Sequence, residues 1–354
     1  MRVLHTADIH LGRDGERTVA ALDALLDAAA REEVDALTVG GDCFDSAADA
    51  DELRPELRER FTDNPFDVVV VPGNHDAEAF RGNVEFGPDV RVLATDPYEA
   101  AAVGDGEVIG VPYRERLGDD LFFDLQERAH DDAVLCLHCT LDAGFGAGAT
   151  GSEGEPSYFP VQTETLGELG YEFVLAGHIH AELYQRKLPN GGLFIYPGSP
   201  VSHSWAETGR RHAVVVDTDD SNIQPVALDT FYRDRFSATV TPGDGYDVIE
   251  RVEQWVEGHD TERCDLEVHV DGFTELDEVT FDERLHTAAA TASVYNETRG
   301  VGAVLDHPIY TDFVDRLDEL PLEEYDHVED AEQVERRLVE TLARLLAAGE
   351  VTHA

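Results

Sequence analysis

The 354-residue sequence predicts an α/β fold with a small α+β second domain and a helical C-terminal tail. Two observations carry this. The first two thirds alternate short β-branched runs with amphipathic stretches, and the apolar runs are continuous, as in strands covered on both faces. After Asp229 the order changes to a compact β-α-β-α-β pattern, followed by helices alone.

Strands are expected at 2–6, 36–39, 68–71, 108–111, 134–137, 173–176, 193–196 and 213–216, in runs such as ALTV and VVVV. Helices are expected at 16–32, 50–61, 117–130 and 163–169, where the apolar residues recur at helical spacing. The stretch 144–155 (GFGAGATGSEGE) reads as a flexible surface loop. In the second part, strands at 236–240, 266–270 and 292–296 enclose helices at 246–256 and 280–290. From Asp306 onward the chain reads as helices, ending at 330–348, where Val334, Leu338, Leu342 and Leu345 with Ala331 form one face. That face can dock on a partner or pack on the body. The divisions expected are therefore 1–228, 229–300 and 301–354.

The chain carries 75 acidic against 26 basic residues, a net charge of -49, and Lys187 is its single lysine. The acid is spread along the chain over ordinary hydrophobic content, so a disordered acidic tail is excluded. Either a basic partner or a molar-salt cytoplasm accounts for it, and the even spread with almost no lysine favours the salt. At about 1 M salt the Debye length is roughly 3 Å, so net charge then says little about partners. No apolar run is long enough to span a membrane. The opening MRVLHTADIH runs straight into a strand, so no signal peptide is expected. Cys43, Cys136, Cys139 and Cys264 lie in apolar runs and suggest no disulfide framework, in keeping with a cytoplasmic location. The CxxC of Cys136 and Cys139 reads as buried strand rather than a redox pair.

Five short motifs stand at strand ends: Asp8-Ile9-His10, Gly41-Asp42, Gly73-Asn74-His75-Asp76, His138 and Gly177-His178-Ile179-His180. In open α/β sheets, sites lie outside the carboxyl ends of strands, so all five converge on one edge. Asp, His and Asn are donors for divalent Mn, Fe or Zn. A carboxylate shared by two such ions suits a phosphoryl clamp. In an extended D-x-H or H-x-H both side chains point the same way. Gly41, Gly73 and Gly177 allow sharp turns. Taken singly, each motif is also ordinary turn or core chemistry; the conjunction is not.

The series resembles the calcineurin-like metallophosphoesterases. VLHTADIHLG, GDCFD, VVPGNHD, LCLHCTL, LAGHIH and YPGSP are similar to the SbcD-type DNA double-strand-break repair nucleases over residues 1–205. The resemblance implies a two-sheet β-sandwich flanked by helices, with 229–300 in the place of that family's capping domain. It implies one metal held by Asp8, His10 and His180, another by Asn74, His138 and His178, and Asp42 bridging them. His75 then protonates the leaving oxygen or stabilises the transition state, oriented by Asp45. Two divalent ions, Mn²⁺ by resemblance, activate the attacking water. The protein phosphatases of the superfamily carry GDxxDR and GNHE, whereas here Ser46 follows Asp45 and the last motif ends in Asp76.

What the resemblance implies is a metal-dependent DNA exonuclease and endonuclease of a halophilic archaeon, homodimeric, with an SbcC-like coiled-coil ATPase as partner. A small-nucleotide phosphodiesterase or phosphatase is the alternative. A non-catalytic scaffold predicts eroded ligands, and none of the eight motif residues is eroded. Arg13 and Arg81, and with them Arg114, Arg116, Arg210 and Arg211, are scarce cations that can contact a DNA backbone or simply form surface ion pairs. His203 and Trp205 can line a groove or pack.

Overall fold

The computed structural model describes residues 1–81, 85–142, 159–300, 308–318, 320 and 331–347. The loop expected at 144–155 lies outside the described residues. The chain divides into two compact units, Met1–Arg233 and Asp234–Ala354.

The first unit opens with β1 (Arg2–Thr6), α1 (Glu16–Arg31), β2 (Ala36–Gly40), α2 (Ala47–Arg60) and β3 (Asp67–Val71). Next come β4 (Val90–Val92), β5 (Glu99–Val103), β6 (Gly106–Val111), α3 (Asp119–Arg128), β7 (Ala133–His138) and β8 (Thr140–Leu141). Then follow β9 (Pro160–Val161), α4 (Thr163–Leu169), β10 (Phe173–Gly177), β11 (Tyr184–Lys187), β12 (Leu193–Tyr196), β13 (His212–Asp217) and β14 (Asn222–Ala227).

Two six-stranded sheets result, in the orders β14-β13-β1-β2-β3-β4 and β11-β12-β10-β7-β6-β5. Strands β1 to β4 run parallel in the first, and β6, β7, β10 and β12 in the second. The continuous apolar runs have the expected cause, since β1, β2, β3, β7 and β10 are buried on both faces. Leu4, Leu37, Val39, Val68 and Val70 face a core shared with Leu22 and Leu25 of α1 and Leu57 of α2. Leu135, Leu137, Val174 and Ala176 face a second core with Leu121 and Leu125 of α3 and Leu166 of α4. Between the sheets lie Val3, Ala36, Val69, Val71, Val134, Cys136, Phe173 and Leu175. The architecture is thus the two-sheet α/β sandwich flanked by helices.

Several strands escape a search for continuous apolar runs. Tyr184–Lys187 alternates in burial, Asn222–Ala227 is mostly exposed, both sit at sheet edges, and Pro225 is tolerated in such a strand. The short Val90–Val92 and the alanine-rich Glu99–Val103 are the other two edges.

Strand β15 (Tyr232–Val240) spans the division between the units. The second unit continues with α5 (Gly245–Glu257), β16 (Cys264–Thr274), α6 (Glu278–Ala288), β17 (Ser293–Asn296) and β18 (Arg299–Gly300). Val248 and Val252 of α5 and Phe281 and Leu285 of α6 cover one face of its sheet. The tail forms α7 (Pro308–Asp318) and α8 (Ala331–Ala347). They pack on Phe273 of β16 through Tyr310, Leu317, Val339, Leu342, Ala343 and Leu346. The buried stripe of α8 therefore differs from the face expected from sequence: Leu338 is exposed, because Val339, Ala343 and Leu346 repeat at the spacing that meets α7. No helix among the described residues is long and apolar enough to cross a membrane.

Candidate metal centre

Side-chain alternation builds the site from the layer between the sheets. On β7, Val134 and Cys136 face the opposite sheet, and the next residue of that row is His138. On β2 and β10 the corresponding rows end at Gly40 and Gly177. The apolar interlayer thus becomes polar at the carboxyl ends of the strands. His5 marks the border: its Nδ1 lies 3.1 Å from Thr38 Oγ1 and its Nε2 3.2 Å from the Ala176 carbonyl, which joins the two sheets. Burial pushes this imidazole down to about 4, so it is neutral.

The loops beyond the strands are not extended. Asp8, His10, Asp42 and His178 have φ of 57°, 49°, 50° and 98°. Same-side alternation therefore does not aim the D-x-H pair; left-handed turns do, and such strain is concentrated at functional sites. The turns are held by amide hydrogen bonds, Asp8 N–H to Gly41 O (3.0 Å) and His10 N–H to Asp42 O (3.0 Å). Of the three motif glycines, only Gly41 has positive φ, 103°. Gly73 and Gly177 serve close approach instead. A Cβ on Gly73 would stand 2.1 Å from Asp42 Oδ1, and one on Gly177 2.2 Å from the Gly40 carbonyl. Gly41 is constrained twice, since its Cβ would also lie 2.0 Å from His138 Nδ1. Gly41→Ala is expected to cost about 3 kcal/mol or more of stability. Chemical denaturation checks this, and a cost below about 1 kcal/mol contradicts the geometry.

Asp8, His10, Asp42, His138, His178 and His180 are all fully buried. Ligand atoms of Asp8, His10 and His180 lie within 4.8 Å of one another, as do those of Asp8, Asp42 and His138. His10 Nε2 is 3.3 Å from His180 Nε2. His138 donates from Nδ1 to the Gly40 carbonyl (2.9 Å), which turns Nε2 toward Asp42 Oδ2 (3.1 Å) and Asn74 Oδ1 (2.9 Å). The His178 ring packs edge-on against His138 at 5.3 Å, and the backbone N–H of His178 donates to both oxygens of Asp8 (3.0 and 2.9 Å). The donor set of two carboxylates, four imidazoles and the Asn74 amide oxygen fits two divalent cations of the Mn, Fe or Zn type.

Charge is tightly matched in this centre. Burial alone would lower the His138 pKa, but Asp42 and Asp8 outweigh it and raise it to about 10. Burial opposes ionisation of Asp42, yet His138 and His10 hold its carboxyl well below the usual range. Asp8 goes the other way, lifted to about 6 by burial despite His180 and His138. A divalent ion at His138 must displace a proton, so its binding strengthens as pH rises.

Asn74 and His75 are only half-buried, which makes theirs the open side of the site. The His75 N–H donates to Asp42 Oδ1 (2.9 Å), and its ring stands edge-on to His10 at 4.9 Å. Asp45 meets His75 through a different atom than expected. Its carbonyl lies 3.3 Å from His75 Nδ1, while its carboxylate takes the Nδ1–H of His10 (3.1 Å) and sits 3.7 Å from Arg13. The chain turns here so that one residue serves both histidines.

Around the centre stand Asp76, the last residue of the third motif, and residues that belong to none of the five motifs. Asp76 accepts from Gly73 N–H (2.8 Å) and Phe44 N–H (3.2 Å) and ties two ligand loops together. His203 is bound by Asp14 at Nδ1 (2.7 Å) and meets the Asp8 carbonyl at Nε2 (3.3 Å). Trp205 is half-buried, with the Arg233 guanidinium 5.7 Å from its ring. Glu207 is fully buried beside His180; burial works against its charge, but His180 and His203 hold it at about 2. Of the cations, Arg211 is 2 % exposed and donates to the carbonyls of His180 and Ser199, so it cannot reach a DNA backbone. Arg114 pairs with Asp96 (3.2 Å), and Arg81, highly exposed, with Glu78 (3.4 Å). Cys136 and Cys139 are buried free thiols pushed up to about 12 by burial, so they are not a reactive pair.

The chain is 27 % identical over 247 residues to the Bacillus subtilis (strain 168) protein named uncharacterized metallophosphoesterase YhaO, covering 62 % of this chain and 58 % of that protein. It is 26 % identical over 259 residues to the SbcD component of the nuclease SbcCD from the same organism, covering 61 % and 66 %. Against the SbcD component from Escherichia coli (strain K12), identity is 41 % over 90 residues, 22 % of each chain. The chain thus spans under two thirds of the length of these relatives. Among solved structures it resembles a 5'-nucleotidase precursor from Thermus thermophilus, with a TM-score of 0.39, 17 % identity, and coverage of 65 % of this chain and 54 % of that one. A Pseudomonas putida nuclease MPE gives a TM-score of 0.29 at 17 % identity, covering 63 % and 87 %. Likenesses this weak carry no argument about activity. The sequence model of the calcineurin-like phosphoesterases matches residues 1–182, just over half of the chain, and takes in all five strand-end motifs; on that match the protein belongs to the calcineurin-like phosphoesterases.

Proposed function

We propose that this phosphoesterase hydrolyses phosphodiester bonds of DNA, as an exonuclease with endonuclease activity in double-strand-break repair. What supports a two-metal phosphodiesterase above all is the fully buried cluster of Asp8, His10, Asp42, His138, His178 and His180. What supports DNA is the similarity to the SbcD component of a nuclease over 259 residues, more than the family match alone takes in. In this reading Asp8, His10 and His180 hold one ion, Asn74, His138 and His178 the other, and Asp42 bridges. When bound, two divalent ions (Mn²⁺ here) polarise the phosphoryl oxygens and supply a nucleophile at neutral pH.

The chain's own groups do the rest. The half-buried side at Asn74 and His75 admits the substrate. His75 gives Nδ1–H to the Asp45 carbonyl, which leaves Nε2 to pass a proton to the leaving oxygen. Arg13 and Arg81 are proposed backbone contacts, residues 229–300 a capping domain, and an SbcC-like coiled-coil ATPase the partner of a homodimer. The acidic surface is proposed to suit a molar-salt, archaeal cytoplasm.

The test incubates the purified chain in molar KCl with Mn²⁺ and linear duplex DNA, alongside bis-p-nitrophenyl phosphate, cyclic nucleotides and mononucleotides. Release of nucleotides from DNA ends, abolished by chelation, is expected. Turnover of small nucleotides with DNA left intact, even when the ATPase is added, would instead make this a small-nucleotide phosphodiesterase or phosphatase.

A further inference from the structure

We propose that Glu207 is a positioning residue for His180, and so sets the affinity of one of the two metal sites selectively. The inference rests on the two-metal reading above. Two histidines of the centre have Nδ1 hydrogen-bonded to a protein oxygen, His10 to Asp45 Oδ1 (3.1 Å) and His138 to Gly40 O (2.9 Å), and in a third, His180, Nδ1 faces Glu207 Oε1 at the ion-pair distance of 3.5 Å. In each case Nε2 is the nitrogen left for the interior, and for His10 and His180 these two atoms approach to 3.3 Å. The backing oxygen fixes the tautomer and the ring plane, and a carboxylate also raises the basicity of the ligand. The triad of Asp8, His10 and His180 is therefore backed by carboxylates at both imidazoles, while His138 is backed by a neutral carbonyl.

Glu207 is built for this position. It is fully buried, and an unpartnered buried carboxylate is costly. Its Oε2 accepts from Ser199 Oγ–H (3.0 Å) and His203 N–H (2.7 Å), and its Oε1 from Ser204 Oγ–H (3.0 Å). Ser202 Oγ–H donates to its backbone carbonyl (2.6 Å). These bonds leave the carboxylate little freedom to turn from His180. Arg211 completes the clamp from the backbone side. Its Nη2 donates to the His180 carbonyl (2.6 Å) and its Nε to the Ser199 carbonyl (2.9 Å). The YPGSP motif and the residues after it thus hold both the backbone and the ring of His180.

The experiment titrates the full-length protein, stripped of metal and kept in molar KCl, with Mn²⁺, followed by calorimetry and electron paramagnetic resonance. Wild type should take up two ions that give a spin-coupled pair. Glu207→Gln keeps the size and an acceptor oxygen but not the charge. It should retain one ion at wild-type affinity and bind the other 10- to 100-fold more weakly, with loss of the coupled signal. Its metal-free melting temperature should stay close to that of wild type. Glu207→Asp, which withdraws the carboxylate from His180, should give the same site-selective loss and serves if the amide variant does not fold. Two ions bound at wild-type affinity in either folded variant would overturn the proposal, and so would equal weakening of both sites, which marks a merely structural role. A wild type that binds no pair of ions refutes the two-metal reading itself, a distinct outcome.

Discussion

Asp42→Ala is expected to remove both metals and to slow hydrolysis by at least about 10³-fold, some 4 kcal/mol of transition-state stabilisation. Asp42, like Asp8, reaches both halves of the centre. One oxygen lies 3.1 Å from His138 Nε2 and 3.9 Å from His10 Nε2, two imidazoles assigned to different ions. The other accepts the His75 N–H at 2.9 Å. Its place is also shaped sterically, since even a methyl on Gly73 would overlap Asp42 Oδ1. Alanine leaves Asp8 as the remaining acid against two dications.

The consequence for stability is separable. Any ligand bound only by the folded state stabilises it, by about 2.7 kcal/mol at a hundredfold excess over Kd. Wild type should therefore melt higher with Mn²⁺ than with a chelator, and Asp42→Ala should show no such difference. The metal-free variant should itself be weakened, because removing Asp42 leaves the imidazole charge of His138 that it pairs with buried and uncompensated, so the effect of Mn²⁺ is read as a difference from that lower baseline. Two ions bound at wild-type affinity by Asp42→Ala would show that this carboxylate does not bridge.

How much of this was legible in the sequence depends on where each residue stands. The sandwich could be read because its central strands are buried on both faces and so are written as unbroken apolar runs such as VVVV at 68–71. The edge strands alternate, are mostly exposed or are short, and carry no such signal. The ligand residues could be read because each follows one of those runs directly. Extended alternation fails to aim Asp8 and His10, whose left-handed turns are set by amide bonds to Gly41 and Asp42, far along the chain. Nothing local in the sequence encodes that pairing. The same holds for Glu207 and His203, single polar residues in a loop whose partners lie up to 195 positions distant. Arg211 misleads for the opposite reason: a charged residue in an acidic chain reads as surface, but here it is the donor to buried carbonyls of the ligand loop.

His75→Ala is the second large effect, expected to lower turnover on DNA by about 10²- to 10⁴-fold with both metals retained. Retention follows from which atom does what. The link from His75 to the bridging carboxylate is its backbone N–H, and alanine keeps that bond. The ring contributes elsewhere, with Nδ1 on the Asp45 carbonyl and its edge against His10 on the half-buried side of the centre. A group so placed matters for a proton, and the need for a proton depends on the leaving oxygen. A deoxyribose alkoxide leaves poorly without one, whereas p-nitrophenolate leaves readily as the anion. The loss on bis-p-nitrophenyl phosphate should therefore be at least tenfold smaller than the loss on DNA. Equal losses on both substrates would exclude His75 as the acid and leave it a role in transition-state stabilisation. Loss of Mn²⁺ in His75→Ala equal to that in Asp42→Ala would remove it from the chemistry and make it part of the metal-holding frame.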